Sequence, residues 1–137
     1  MAKDLFHYHF VDALKADGWL ITHDPYDISI DGIDYAIDVG AEKLIAAEKD
    51  NRKIAVEIKN FVGPSDVNEF HKAVGQFNDY FVALEEVDEE RILYLAVPEN
   101  TYNSFFQKRI IQKALKRADV KIVVFKPRTR TIVTWIN

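Results

Sequence analysis

The spacing of apolar residues in the first part of the chain predicts a helix followed by short strands. Within residues 3–17 the apolar side chains recur on one helical face, namely Leu5, Phe6, Phe10, Ala13 and Leu14. This pattern ends at Asp17-Gly18, where glycine favours a helix C-terminus. Short apolar segments at residues 19–22 and 28–30 flank a polar cluster that contains Pro25, which predicts a strand pair or one interrupted strand.

Two runs of alternating apolar residues flank the polar residues 49–52, which predicts a β-hairpin with a four-residue loop. Counting outward from this loop places Glu42 opposite Lys59 and Leu44 opposite Glu57. Because side chains alternate between the two faces of a strand, Glu42, Glu57 and Lys59 are then expected on one face.

The second half of the chain alternates helical and strand patterns. Ser65 is the predicted N-cap of a long amphipathic helix. Its apolar stripe is predicted to comprise Val67, Phe70, Val74, Phe77, Phe81 and Leu84. Residues 91–97 form a continuous apolar run, which is typical of a strand that is buried on both faces. A third helix at about 102–117 and two strands at 121–125 and 131–136 complete the pattern.

The order of these elements, α-βββ-α-β-α-ββ, predicts an α/β fold in which helices flank a mixed central sheet. The chain has 137 residues without an evident linker or repeat, so we predict one domain that spans residues 1–137. The last strand, at residues 131–136, is expected at an exposed edge, which is compatible with a homodimer. Trp19 and Trp135 both lie in apolar strand patterns and are predicted core residues.

Composition excludes several classes of protein. An apolar fraction of 48% is too high for an intrinsically disordered chain. The absence of cysteine excludes a disulfide scaffold, a thiol nucleophile and a cysteine-bound zinc. The first ten residues lack the apolar run of a signal peptide, and no window approaches a membrane span. We therefore expect a soluble cytoplasmic protein without a membrane partner.

The charge is divided unevenly along the chain. The net charge is −4, but residues 1–107 carry 9 basic and 21 acidic side chains, whereas residues 108–130 carry 9 basic and one acidic. The basic segment either solvates a helix and two strands or faces the phosphates of DNA. Under the second interpretation the candidate DNA contacts are Lys108, Arg109, Lys113, Lys116 and Arg117.

Acidic side chains and a lysine occur where a core pattern is expected. Glu57 and Lys59 are two residues apart in IAVEIK and therefore share a strand face. Asp38 lies upstream of Gly40-Ala41, where a bulge or bend would swing it toward the same cluster. Grouped carboxylates are the ligands that Mg²⁺ or Mn²⁺ prefers, and a nearby lysine orients water or stabilises charge on a phosphate. The alternative is a solvated Glu–Lys pair on a surface strand.

The long helix adds a second polar pair. Gln76 and Tyr80 have i, i+4 spacing and so lie on one helical stripe. Their amide and hydroxyl groups are suited to bind a phosphate or the attacking water. The alternative is a partly buried polar rim beside the apolar stripe.

Together, these motifs and their order resemble the PD-(D/E)XK nuclease superfamily. In that resemblance Glu57 and Lys59 match the (D/E)-x-K element, and Gln76 and Tyr80 match a Q-x-x-x-Y element. The upstream acidic ligand is either Asp38 or Glu42. The resemblance implies a restriction-endonuclease-like core in which these carboxylates bind Mg²⁺ or Mn²⁺.

The first helix departs from the superfamily pattern. Superfamily members often have a glutamate about eleven residues before the glycine that ends this helix, and here His7 occupies that place. A neutral imidazole is also able to contact a metal or a phosphate, so His7 is a secondary candidate.

A closer resemblance covers nearly the whole chain. The segments GWLITHDPY, IDVGAEKLIAAEKDNRKIAVEIK, EFHKAVGQF, ILYLAVPENTYNSFF and WIN resemble the XisH family of cyanobacterial fdxN element excision controlling factors. This resemblance implies an accessory factor in site-specific DNA excision during heterocyst differentiation. It also implies a XisI-like companion protein and a separate recombinase.

Two functional hypotheses follow from these resemblances. In the first, the protein is a metal-dependent endodeoxyribonuclease whose catalytic residues are Glu57, Lys59 and Gln76. In the second, it is an inactive scaffold with a nuclease-like fold that binds DNA or a XisI-like partner and so regulates the recombinase.

Overall fold

A six-stranded mixed sheet forms the centre of the protein. The structure is a computed structural model that describes residues 5–45, 50–61 and 66–137. The helices are α1 (Leu5–Ala16), α2 (Asp66–Val87), α3 (Glu99–Asn103) and α4 (Arg109–Arg117). The strands are β1 (Leu20–His23), β2 (Tyr26–Ile30), β3 (Ile33–Ile37), β4 (Val39–Ile45), β5 (Asp50–Ile58), β6 (Ile92–Pro98), β7 (Ile122–Lys126) and β8 (Thr131–Ile136).

The strand order of the large sheet is β1-β4-β5-β6-β7-β8, and β8 forms one edge as expected. β5, β6 and β7 run parallel, and the other neighbouring pairs are antiparallel. The parallel pairs require crossover connections, which α2 and the α3–α4 segment supply.

Helices cover both faces of this sheet. On one face α2 and α4 pack through Phe70, Leu84 and Ile111 into a large apolar cluster. On the other face α1 packs through Phe10 and Leu14 into a second cluster. The predicted α/β class, with helices flanking a mixed central sheet, is therefore confirmed.

The segment between α1 and α2 differs from the predicted order because it contains five strands. β1 pairs with β4, whereas β2 pairs with β3 in a separate two-stranded sheet, so the predicted pairing of residues 19–22 with 28–30 is wrong. The β2–β3 turn is Asp31-Gly32, where both residues have positive φ, of 54° and 76°. An Asp-Gly dipeptide is a strong signal for a two-residue hairpin turn.

The β4–β5 hairpin has a different register from the one predicted. Glu42 lies opposite Lys53 rather than Lys59, and Ile45 lies opposite Asp50. The predicted loop was wrong because Asp50–Arg52 continue the ladder of β5. A strand is held by backbone hydrogen bonds, so polar side chains do not end it. The predicted loop residue Lys49 lies outside the described residues.

The buried face of α2 is rotated from the predicted stripe. Val67 is 52% exposed and Phe81 is 46% exposed. Phe70, Phe77 and Leu84 of the predicted stripe are buried, and the helix also buries Ala73, Tyr80 and Ala83. The two alanines permit close packing on the sheet, and Tyr80 reaches the core with a polar tip that finds a partner. The predicted N-cap, Ser65, lies outside the described residues.

The predicted third helix is divided into three pieces. A 3₁₀ turn at Phe105–Gln107 separates α3 from α4 and buries Phe105 and Phe106 in the core. None of the helices in the described part of the chain is long and apolar enough to cross a bilayer.

Candidate active site

Asp38 and Glu57 meet where the small hairpin joins the large sheet. Asp38 occupies the bend between β3 and β4, and Glu57 lies near the end of β5. The backbone N–H of Asp38 donates to Glu57 Oε1 at 3.2 Å. The backbone N–H of Ile58 donates to Asp38 Oδ2 at 2.8 Å. The expected approach of Asp38 to the E-x-K segment is therefore present.

Burial makes Glu57 the unusual carboxyl group of this pair. Glu57 is an ionisable residue, yet it is only 7% exposed, because it lies on an interior strand of the sheet. Burial first, and then the charge of Asp38, raise the pKa of Glu57 to about 8, against the opposing effects of Lys59 and the Asp38 N–H. Loss of hydration and a nearby negative charge both disfavour the ionised form of a carboxyl group.

Lys59 supplies the cation beside this pair. Its Nζ lies 3.5 Å from Glu57 Oε2, and 32% of its side chain is exposed. The backbone N–H of Lys59 donates to the carbonyl of Ala96 on β6, which continues the parallel ladder and fixes the direction of the side chain. The ammonium group is therefore held next to a buried carboxylate while still facing solvent.

Tyr80 connects α2 to the strand that precedes Asp38. Its hydroxyl donates to the carbonyl of Ala36 on β3 at 3.1 Å. Burial raises the pKa of Tyr80, and the nearby carboxylates of Glu57, Asp38 and Asp79 raise it further. Tyr80 therefore remains a neutral hydrogen-bonding group that connects α2 to the strand before Asp38.

Gln76 and Tyr80 both line a cavity of about 420 Å³. The cavity is lined by Asp34, Tyr35, Ala36, Lys72, Gln76, Asp79 and Tyr80. The i, i+4 spacing thus brings Gln76 and Tyr80 together as expected. Glu57 and Lys59 are not among the lining residues.

The sequence interpretation did not single out Lys72 and Asp79, which also line this cavity. Their spacing provides a signal, because Lys72, Gln76, Asp79 and Tyr80 follow i, i+4, i+7 and i+8 on α2. Residues at that spacing share one face of a helix.

Glu42 lies away from the Asp38–Glu57 pair. The ladder places it four residues further along β4 from Asp38, about 13 Å on strand geometry. Glu42 Oε1 lies 3.6 Å from Arg91 Nη2. Arg91 also contacts Asp88 Oδ2 through Nε at 2.9 Å and stacks over the Tyr26 ring at 4.8 Å. The surroundings of Glu42 are therefore those of a structural ion pair.

His7 is buried on α1, and its Nε2 forms a 2.8 Å hydrogen bond with Asp24 Oδ1. This contact holds α1 against the loop between β1 and β2. The Asp38–Glu57 pair faces α2 rather than α1, because Glu57 pairs with Leu95, which belongs to the α2-side cluster.

The predicted DNA-contacting residues lie on or next to α4. All five are exposed, while Ile111 and Leu115 of this helix are buried. α4 covers the same face of the sheet as α2. The basic segment and the carboxylate pair therefore share a face of the sheet.

The chemistry of these side chains fits a divalent cation. Within residues 5–45, 50–61 and 66–137, no three or more His, Asp or Glu side chains group closely enough to hold a metal ion by themselves. Mg²⁺, however, commonly uses one or two protein carboxylates with water and substrate phosphate. The high pKa of Glu57 arises from burial and repulsion, and a bound cation relieves that repulsion.

Comparison with known proteins gives a consistent match along the chain. The family model described as "XisH protein" matches residues 1–133. The crystal structure of a XisH family protein from Nostoc punctiforme PCC 73102 has a TM-score of 0.88 at 41% identity, covering 98% of this chain and all of that one. That of an fdxN element excision controlling factor protein from Anabaena variabilis has a TM-score of 0.89 with the same identity and coverage. No curated protein matches the chain.

Proposed function

The chain belongs to the XisH family, and on this premise we propose that it takes part in controlling the excision of a genomic element. The support is the Anabaena variabilis structure, whose protein is named an fdxN element excision controlling factor and is 41% identical over 98% of this chain.

We further propose that the protein hydrolyses phosphodiester bonds with Mg²⁺ or Mn²⁺, as a PD-(D/E)XK-like nuclease. One observation carries this proposal. The carboxyl groups of a buried glutamate and of an aspartate in a neighbouring bend each accept a backbone N–H from the other's segment, and an ammonium group lies 3.5 Å from the glutamate. Burying such a group of charges lowers the stability of the fold, and binding of a cation and a phosphate would offset that cost.

Each residue has a distinct role in this proposal. Asp38 and Glu57 hold the metal ion, which lowers the pKa of water and polarises the phosphate when it is bound. Lys59 orients the attacking water or stabilises the charge that develops on the phosphate. Gln76 binds the phosphate or the water, and Tyr80 positions the strand that precedes Asp38.

The exposed basic side chains of α4 supply the attraction to DNA in this proposal. Cations on one face raise the local concentration of a polyanion and steer its approach. Because α4 and the carboxylate pair share a face of the sheet, one DNA molecule is expected to contact both.

Cleavage of supercoiled, single-stranded and branched DNA with Mg²⁺ or Mn²⁺ tests the nuclease proposal. We expect metal-dependent nicking by the wild-type protein and a loss of nicking in Lys59→Ala with an unchanged far-ultraviolet circular dichroism spectrum. Lys15→Ala is the matched control, because Lys15 is an exposed lysine in the last turn of α1. Absence of cleavage of all three substrates, with and without a XisI-like protein, contradicts the nuclease proposal.

The second candidate function is an inactive scaffold that regulates a recombinase by binding DNA or a XisI-like partner. The observation that favours it is His7, which stands where active superfamily members often have glutamate and bonds Asp24 instead. In that case the protein binds its partner without any measurable affinity of the Asp38–Glu57 pair for Mg²⁺ or Mn²⁺. Metal titration by calorimetry separates the two functions.

The edge strand β8 provides a surface for self-association in either case. It is the last strand of the sheet, and all six of its residues are exposed or half-buried. Edge strands offer unpaired backbone groups to a second chain. We propose a homodimer through β8, which sedimentation analysis of the wild-type protein and Val133→Pro tests.

A further inference from the structure

A second cavity of about 610 Å³ lies far from the Asp38–Glu57 pair. It opens at the start of β5 and β6, whereas Glu57 and Lys59 lie at the other end of β5. It also lies on the other face, because Tyr94 pairs with Val56 and belongs to the α1-side cluster. A ligand of this cavity is therefore separate from the proposed metal site.

Aromatic rings form the wall of this cavity. The rings of Trp19 and Trp135 lie 5.6 Å apart. The ring of Tyr94 meets Trp135 edge-on at 4.9 Å. Trp19 and Tyr94 are buried, whereas Trp135 is only half-buried. Indole faces of this kind bind the flat rings of nucleobases by stacking.

Basic side chains form the rim of the same cavity. Lys43, Arg52 and Lys53 line it together with two acidic residues. Asp17 Oδ2 lies 3.8 Å from Lys43 Nζ, and Glu90 Oε2 lies 3.9 Å from Lys53 Nζ. This excess of positive charge occurs in a part of the chain, residues 1–107, that carries 9 basic and 21 acidic side chains. The rim therefore carries one more basic than acidic side chain, and this excess favours an anionic ligand.

The lysine and the indole are held in place by their neighbours. Lys43 Nζ donates to the carbonyl of Asp17 at 2.7 Å and lies 5.6 Å from the centre of the Trp19 ring. Trp19 Nε1 donates to Asp17 Oδ2 at 3.1 Å. This bracing reduces the entropy lost when a ligand binds.

We propose that this cavity binds a nucleotide, with its base against the half-buried ring of Trp135 and its phosphate beside Lys43 and Arg52, which lie opposite each other on β4 and β5. The volume lies within the range of ordinary small-molecule sites. The nucleotide is either free or an unpaired nucleotide of single-stranded DNA, since both present the same base and phosphate. The proposal does not depend on the nuclease proposal.

Tryptophan fluorescence reports on this cavity directly, because the two tryptophans of the chain, Trp19 and Trp135, both line it. The full chain is titrated in EDTA with 2′-deoxyadenosine 5′-monophosphate, deoxyadenosine or inorganic phosphate. We expect a saturable change in fluorescence with the monophosphate, and binding at least about tenfold weaker for the other two.

Charge-removing variants at the rim test the assignment of the phosphate. Lys43→Met and Arg52→Gln are each expected to weaken binding about tenfold while the chain stays folded by circular dichroism. Lys15→Met is the control, because Lys15 is exposed on α1 and does not line this cavity. Equal affinity in all three variants, or no saturable change with wild type, overturns the proposal.

The remaining measurements distinguish single-stranded DNA from a free nucleotide, and the cavity from the proposed metal site. A short single-stranded oligothymidylate that binds more tightly than the monophosphate identifies DNA as the source, and the reverse order identifies a free nucleotide. Inorganic phosphate binding as tightly as the monophosphate overturns the role of the base. Glu57→Gln is expected to leave these titrations unchanged, whatever its effect on nicking.

Discussion

Asp38 and Glu57 each accept a hydrogen bond from the backbone of the other's segment. Glu57 Oε1 accepts the N–H of Asp38 at 3.2 Å, and Asp38 Oδ2 accepts the N–H that follows Glu57 at 2.8 Å. This reciprocal arrangement holds two carboxyl groups close together although one is buried. Its energetic consequences are measurable without any knowledge of the DNA substrate.

The first prediction concerns the pH dependence of stability. The pKa of Glu57 is raised from 4.5 to about 8 in the folded protein, so the folded state holds its proton more tightly than the unfolded state. The contribution of Glu57 to the free energy of unfolding is therefore complete below pH 4.5 and is lost as the pH rises to about 8. We expect Glu57→Gln to become more stable than wild type as the pH rises through this range.

Urea unfolding of both proteins at a series of pH values measures this difference. Glu86→Gln is the matched control, because Glu86 is exposed on α2. Its stability difference from wild type is expected to stay constant over the same range. A difference for Glu57→Gln that does not change with pH contradicts the assignment of a raised pKa.

The second prediction separates the two acidic candidates upstream of Glu57. If the proposed metal site is correct, Mg²⁺ or Mn²⁺ is expected to raise the melting temperature of the wild-type protein at pH 8. Asp38→Asn is expected to lose this rise, because Asp38 contacts the Glu57 segment. Glu42→Gln is expected to keep it, because Glu42 faces Arg91. Differential scanning fluorimetry measures both shifts. The opposite result identifies Glu42 as the metal ligand.

The third prediction concerns the hydroxyl of Tyr80. Tyr80→Phe removes the hydrogen bond to the carbonyl of Ala36 and is expected to cost about 1 kcal/mol of unfolding free energy. Tyr8→Phe is the control, because Tyr8 is 55% exposed. Chemical denaturation measures both values. Equal stability of the two variants would mean that the hydroxyl does not hold α2 to β3.

The fourth prediction concerns the buried guanidinium of Arg91. It donates to the carbonyl of Ile54 at 2.9 Å and bonds Asp88, so Arg91→Met is expected to cost roughly 3–5 kcal/mol. Arg130→Met removes a comparable 2.8 Å contact with Asp12 on the surface and is expected to cost less than about 1 kcal/mol. Thermal unfolding compares the two. Similar losses of unfolding free energy in the two variants would contradict a larger contribution from the buried ion pair of Arg91.

Local sequence patterns predicted several elements well. β8 was predicted at residues 131–136 and is observed there, and β6 begins within one residue of its predicted start. α1 follows its apolar spacing and ends before Gly18. Lys59 directly follows β5, and its Nζ lies 3.5 Å from Glu57 Oε2, as expected because side-chain alternation is a local property of an extended chain.

The register of the hairpin was beyond such reasoning. Polar residues at 50–52 resemble a loop, yet β5 continues through them. Gly40 of β4 packs closely against Tyr26, which is distant in sequence. A Cβ at this position would lie 3.0 Å from the Tyr26 ring, so the close packing requires glycine. β4 and β5 also pair with β1 and β6, which are distant in sequence, and local patterns do not include those contacts.

The amino-acid sequence by itself determined the class of the fold, most helices and strands, and the pairing of Glu57 with Lys59. These depend on spacing along the chain, and the period of a helix or strand is a property of the backbone. The tertiary structure decided that Asp38 rather than Glu42 meets Glu57, which face of α2 is buried, and that Trp19, Lys43 and Trp135 share a cavity. These depend on which distant segments pack together, and that choice minimises the free energy of the whole chain rather than of any one segment.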